Sequence, residues 1–160
     1  MPEVPATPPQ LGYQPDEIIT SEPTRAARYK WAIVVDRTVP AGPMANAVAC
    51  VAAATGALVS GLIARGGPDA SGYLHPGLPW AGCTILAGSP GEIATVRARA
   101  TAADGVLVAD MPASAQTNRV YDDYLAELAG TKPDDLNITA FSVIGPRNRV
   151  DKMVKKLALL

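Results

Sequence analysis

A chain of 160 residues that is 48% hydrophobic can close one sizeable core but not two. Fourteen basic residues against fifteen acidic ones leave it without the cationic excess of a general nucleic-acid binder. The single histidine rules out a histidine-based metal cluster, and the spacing of Cys50 and Cys83 does not make a metal-ligand pair.

The chain opens on a Pro-dense leader, residues 1–25, with Pro2, Pro5, Pro8, Pro9, Pro15 and Pro23. That density prevents a continuous helix and predicts an extended, partly disordered tail, on which Leu11, Tyr13, Ile18 and Ile19 could still pack against the body. A single domain is expected over residues 26–160. Its first strand is the apolar, β-branched run from Trp31 to Val35, bounded by Lys30 and Asp36 and expected to be covered on both faces. A tight connection with Pro and Gly follows. Met44, Val48, Val51, Ala52 and Thr55 then recur at helical spacing among alanines, and Gly56 is read as the residue just past the helix end.

Residues 65–72 form a Gly, Pro, Asp and Ser cluster before Tyr73, Leu74 and His75, which suggests a short hairpin or structured loop. A second strand spans residues 83–87. Ser89, Pro90 and Glu92 then supply an N-cap, an N1 proline and a capping-box acid for a helix with Ile93, Val96, Ala100 and Ala103 on one face. Residues 105–110 read as a third buried strand ending on Asp110. A helix over residues 116–128, a fourth strand over 138–144 and a last helix carrying Val150, Met153, Val154, Leu157 and Ala158 complete the pattern. Alternating strands and helices imply an α/β fold, a three-layer α/β/α sandwich with about four strands in a mixed or mainly parallel sheet.

Ligands of open α/β sheets bind at the carboxyl ends of strands, so the search for chemistry starts at residues 36–46. Asp36, Gly42, Asn46 and Asp110 are the candidate ligand-binding set: the Asn46 amide can donate and accept, and a buried Asp110 could take a proton. The same residue types commonly bond backbone in turns and caps, which is the more frequent role. His75 is the one histidine open to acid–base work, with an ordinary loop residue as its commoner reading. Cys50, beside Val48 and Val51, reads as a packed thiol rather than a nucleophile. Arg147, Arg149, Lys152, Lys155 and Lys156 give the last helix a basic face, for which a solvated surface is favoured over RNA contact. No glycine-rich phosphate loop is present, so no cofactor is expected, and no metal. Reduced cysteines, the lack of a basic and apolar signal-peptide pattern in residues 1–25, and the lack of a stretch apolar enough to cross a bilayer point to a cytoplasmic protein with no membrane partner.

Residues 139–160, TAFSVIGPRNRVDKMVKKLALL, resemble the closing strand, Gly-Pro turn and terminal helix of the type-two peptidyl-tRNA hydrolases of archaea and eukaryotes. The opening strand and Ala-rich helix match in placement, and Asp110 falls where that family carries a carboxylate after its third strand. The chain is also similar to a bacterial family of unknown function related to these hydrolases by fold, in which a helix Asn such as Asn46 is typical. The resemblance implies that fold and a homodimer. It also implies a deficit, because Pro43 stands at the hydrolases' lysine position and Cys50 at their histidine position, and only Asp110 survives of their Asp-Ala-Gly-Arg-Thr run. The expectation is a protein that binds a small ligand and lacks efficient peptidyl-tRNA hydrolysis. A hydrolase of an ester or amide using Asp110 is the alternative.

Overall fold

The computed structural model describes residues 7–160, so the first six residues of the leader, Pro2 and Pro5 among them, lie outside the described residues. In chain order the elements are β1 (Leu11–Gly12), β2 (Tyr29–Asp36), α1 (Ala41–Leu58), β3 (Val59–Ser60), β4 (Gly67–Pro68), β5 (Leu74–His75), β6 (Thr84–Gly88) and α2 (Pro90–Thr101). They continue with β7 (Leu107–Pro112), α3 (Ala113–Thr117), α4 (Tyr121–Gly130), β8 (Ile138–Pro146), α5 (Arg147–Val154) and β9 (Ala158–Leu159).

The central sheet has five strands in the order β7-β8-β2-β6-β9 and is mixed: only β2 and β6 run parallel, and every other neighbouring pair is antiparallel. β2 and β8 lie in the middle and are apolar along nearly their whole length, because helices cover both faces. The period of two sorts their side chains. Trp31, Ile33 and Val35 point to one face, where Ala47 and Val51 of α1 meet them. Ala32 and Val34 point to the other, against Ile93, Val96 and Ala100 of α2 and Val150 and Val154 of α5.

A chain of buried hydrogen bonds ties α1 to the sheet. Trp31 Nε1–H donates to Ser142 Oγ at 2.7 Å, and Ser142 Oγ lies 2.7 Å from Thr55 Oγ1. Thr55 spends its hydroxyl proton on Val51 O at 2.7 Å, so Ser142 is the donor to Thr55. Every polar atom in this small network has a partner, the condition under which buried polarity fixes geometry.

Several boundaries differ from the sequence reading. Gly56 lies inside α1, which runs on to Leu58. At 18 residues, α1 is long and apolar enough to cross a membrane by length and composition, contrary to the expectation that no stretch was; in this fold Ala47, Val51 and Thr55 are buried against the sheet. The helix expected over residues 116–128 is two helices, α3 and α4, with a break at residues 118–120. The terminal helix stops at Val154, and Ala158–Leu159 turn back to pair with Leu86 and Ala87 of β6, adding a fifth strand.

From Leu11 onward, the segment read as a leader is joined to the body. Leu11 and Gly12 pair with Val59 and Ser60, and Tyr13 N–H donates to Ser60 O at 2.9 Å. The Tyr13 ring is buried, 4.8 Å edge-on from Trp80 and 5.0 Å from Tyr29. Gly61 makes room for it with φ near +74°, where a Cβ would touch the Tyr13 carbonyl oxygen at 3.0 Å. Arg28 closes the arm by bridging Glu17 at 2.6 Å while its guanidinium lies 4.1 Å from the centre of the Tyr29 ring. That bond, followed by the Gln14 amide, holds the Glu17 carboxyl below its ordinary range. The sequence hinted at this in Leu11 and Tyr13, but the Pro count outweighed them.

The Tyr13 hydroxyl is buried beside the Tyr29 backbone yet makes no hydrogen bond of good geometry among the described residues. Removing an unpartnered buried hydroxyl relieves a desolvation cost, whereas removing the ring opens a cavity. Tyr13→Phe should therefore leave urea stability unchanged or raise it by about 1 kcal/mol, and Tyr13→Ala should lower it by about 3 kcal/mol. Equal losses in both variants would mean that the hydroxyl, not the ring, is the stabilising group.

Candidate functional site

β2, β6 and β7 all end at one edge of the sheet, since β2 and β7 are both antiparallel to β8, and β6 is parallel to β2. Each is followed closely by a helix: α1 after Asp36, α2 after Gly88 and α3 after Pro112. The strand ends that carry Asp36 and Asp110 therefore do converge. The candidates divide between the two faces of the sheet, however, and each has its own partner.

Asp36 is buried at the end of β2, on the α2 face. Its Oδ1 accepts from the Thr38 amide at 2.8 Å and the Thr38 hydroxyl at 2.7 Å, a local turn that carries the chain from strand to helix. Next to it, Arg37 N–H donates to Gly88 O at 3.0 Å and the Arg37 guanidinium lies 3.3 Å from Glu92, the capping-box acid of α2.

Asp110 is paired with Phe141 in the β7–β8 ladder, inside the strand rather than at a loop mouth. It faces α2. Arg97 donates to it through two nitrogens, Nε to Oδ1 at 2.8 Å and Nη2 to Oδ2 at 2.7 Å. Both side chains are about four-fifths covered. This fork is the strongest charge-assisted contact at the edge. The carboxylate holds the Arg97 proton more firmly than usual, against the opposing effect of burial.

Asn46 lies across the sheet from that pair, on the exposed side of α1. Its Oδ1 accepts from Gln116 Nε2 at 3.1 Å, and the same nitrogen donates to Pro43 O at 2.8 Å, so Gln116 of α3 clips the first turns of α1. Gly42 is exposed in that first turn, and a Cβ there would meet nothing within 4 Å. No close backbone approach requires glycine at this position.

His75 is in the β4–β5 hairpin, which follows the carboxyl end of α1 and is remote from the strand-end edge. Its Nε2 lies 3.0 Å from Asp69 Oδ2. Asp69 also accepts from the Ser71 hydroxyl at 2.6 Å and the Ser71 amide at 2.8 Å. The Ser71 hydroxyl first, then His75, holds its carboxyl down at about 2. This is a hairpin brace in open solvent, in which Asp69 rather than His75 holds the Ser71 hydroxyl.

The expectation of a packed Cys50 fails, while partial burial of the Cys83 thiol pushes it up to about 12. Cys50 and Cys83 are both exposed. In α1 the residues turned to the sheet are Ala47, Val51 and Thr55, spaced by four, and that register turns Cys50 outward. Among the described residues, no group of three His, Cys, Asp or Glu side chains is placed to hold a metal ion.

Arg97 and Gln116 are the residues that sequence reasoning missed. Arg97 had a signal, a charge interrupting the apolar spacing of Ile93, Val96 and Ala100, which calls for an acid on the opposing strand. Gln116 had none, being one polar residue among many. Beside the Arg97–Asp110 fork, a cleft of about 340 Å³ opens between α2 and residues 133–138, lined by Ile93, Ala94, Arg97, Ala98, Leu136 and Asn137. Arg97 Nη1 makes no hydrogen bond among the described residues and is the guanidinium edge left over for a ligand.

A mixed α/β sandwich with paired polar groups at its strand-end edge is the class of protein these features define. The chain belongs to DUF2000, a family of proteins of unknown function, whose model matches residues 29–160. Among solved structures it is similar to Atu0240 from Agrobacterium tumefaciens strain C58, a protein of unknown function. The TM-score is 0.72 at 15% identity, over 83% of this chain and 98% of the other. That likeness establishes a shared fold. No curated protein matches the chain.

The pairings predict which candidates matter for stability. Asp36→Ala removes two hydrogen bonds from a buried turn and should cost about 1–2 kcal/mol. His75→Ala, in an exposed brace, should change stability by less than about 0.5 kcal/mol. Chemical denaturation of the two variants is the check, and a reversed order would mean that the hairpin belongs to the folded core.

Proposed function

We propose that the chain binds a small ligand on a fold like that of the type-two peptidyl-tRNA hydrolases and has no efficient peptidyl-tRNA hydrolase activity. The observation that carries this reading is the fork between Arg97 and Asp110. A general base must have an oxygen aimed at the proton it removes, and both Asp110 oxygens are committed to a guanidinium. Three further positions do not supply a hydrolytic group at the edge: Pro43 has no charge to offer, Cys50 faces outward on α1, and His75 is braced by Asp69 elsewhere. What the edge does offer is the cleft beside Arg97, with apolar walls from Ile93, Ala94 and Leu136, one guanidinium edge, and Asp134 as the acid among its lining residues. Its size suits a small molecule with an apolar body and a carbonyl or carboxylate oxygen.

Purified protein incubated with a peptidyl-tRNA should release peptide no faster than buffer. Rapid turnover abolished by Asp110→Asn would overturn this reading and make Asp110 catalytic. The ligand arm is a thermal-shift panel of small aliphatic and aromatic carboxylic acids. A binder at 100 times its Kd should stabilise the wild type by about 2.7 kcal/mol and lose that effect in Arg97→Met.

A second copy of the chain is the partner that the outer face of α1 suits. No charged residue occurs between Arg37 and Arg65. The exposed Ala49, Cys50, Ala53, Ala57 and Leu58 are joined by the exposed Ile63, whose side chain would meet a Cβ on Gly56 at 3.9 Å, and by the exposed Leu78. This face is about 27 Å long. A copy of itself meets it without charge repulsion, and an antiparallel pairing about a two-fold axis sets the midpoint of the helix, at Ala49 and Cys50, opposite its equivalent. Sedimentation should show a dimer at micromolar concentration, with Cys50 joined by a short bis-maleimide and both effects lost in Ala53→Glu. A wild-type monomer with no Cys50 cross-link would contradict the pairing.

A further inference from the structure

We propose a second binding site, for a small phosphate monoester, at the edge of the sheet opposite the strand ends. A cleft of about 500 Å³ opens there, where three segments meet: the short turn at residues 24–26, the loop entering β6 at residues 81–84, and the first turn of α5. Gly82 allows the meeting. It has φ near +72°, and a Cβ on it would sit 3.3 Å from the Thr24 side chain, so the loop lies directly on the arm.

Arg25, Lys30 and Arg147 contribute to the walls, with Asp151 as the acid among the lining residues. Two of the cations are already oriented. Lys30 Nζ is held 2.6 Å from Asp151 Oδ1, both residues lining the cleft. Arg147 is fixed by the backbone, donating to Ala27 O from Nε at 3.3 Å and Nη2 at 3.2 Å and to Tyr29 O at 3.3 Å. Its Nη1 makes no hydrogen bond among the described residues. Arg25, on the exposed arm, has no ion-pair partner among the described residues. The Thr24 and Thr84 hydroxyls add neutral donors.

The surplus is two positive charges in a half-enclosed, polar cleft. That matches the charge of about −1.5 to −2 on a phosphate monoester at neutral pH and exceeds what a single carboxylate needs. Arginine forks supply the directional donors that phosphate oxygens take. Thr24 and Arg25 also lie before residue 29, where the family match begins, so the arm completes this cleft with residues from outside the matched domain. The site is separate from the Arg97 cleft, which belongs to the other edge of the sheet.

The test is titration of the full chain with inorganic phosphate and with glycerol 3-phosphate, followed by calorimetry and by backbone amide shifts. Binding should be saturable for both, with shifts centred on residues 24–30, 82–84 and 147–151. Arg25→Ala, on the exposed arm, and Lys30→Met should each weaken binding by about tenfold, the equivalent of one charge-assisted hydrogen bond. Weaker binding in either variant, with the folded spectrum kept, supports the site. Equal binding in both variants, or no saturable binding by the wild type, overturns it. So does loss of binding in the double variant Arg99→Ala, Lys152→Ala, which would place the anion in a different groove, between α2 and α5, lined by Arg99, Arg149, Lys152 and Asp104. Acetate binding as tightly as glycerol 3-phosphate would overturn the assignment to phosphate.

Discussion

The rotation of α1 on the sheet is the constraint from which the rest of the structure follows. Ala47, Val51 and Thr55 must face inward, because small side chains let the helix approach β8 and because Thr55 closes the hydrogen-bond chain that starts at Trp31 and passes through Ser142. A slip of one residue would bury an unpaired hydroxyl and indole nitrogen, at a cost of about 1–3 kcal/mol for each group. With the register set, Asn46 and Cys50 have no choice but the outer side. Asn46 then finds Gln116 on α3, and Cys50 lies at the middle of an uncharged surface.

The same register separates the polar groups that the sequence placed together. Asp110 alternates with Ala109 and Met111 along β7, both of which belong to the α1 face, so the carboxylate must face α2. Pleating turns Asp110 away from the face that α1 covers, so the sheet itself lies between Asp110 and Asn46. What remains at the carboxyl edge is a set of pairs, Asp36 with Thr38, Arg37 with Glu92, Asp110 with Arg97 and Asn46 with Gln116, each satisfied within the protein. Such an edge is well suited to holding three helix starts in place. As chemistry it offers mainly the spare nitrogen of Arg97 and the half-apolar cleft in front of it.

The elements with strong local signals were legible in the sequence. β2 announced itself by the apolar run from Trp31 to Val35, β8 by a mostly apolar one, α2 by its Ser89–Glu92 capping box, and the β4–β5 hairpin by its Gly and Asp cluster. Elements decided by long-range pairing were not legible. β9 is a two-residue strand because Leu86 and Ala87 present a free ladder edge to it, and nothing within Ala158–Leu159 says so. The arm was hidden by its prolines, although Tyr13 and Arg28 hold it through ring packing and a guanidinium that proline content does not oppose. Cys50 shows how narrow the margin is. Val48 and Val51 flank it in sequence, but a helix turns about 100° per residue, and only Val51 shares the buried row.

The account depends most on Asp110 being committed to Arg97 rather than available to a substrate. A double-mutant cycle with Arg97→Ala, Asp110→Ala and the pair, followed by urea denaturation, measures that commitment directly. A fork about four-fifths covered should give a coupling energy of about 1–2 kcal/mol after allowance for its remaining exposure to solvent. Additivity within about 0.3 kcal/mol would show that the two groups do not depend on each other. It would return Asp110 to the list of residues free to do chemistry.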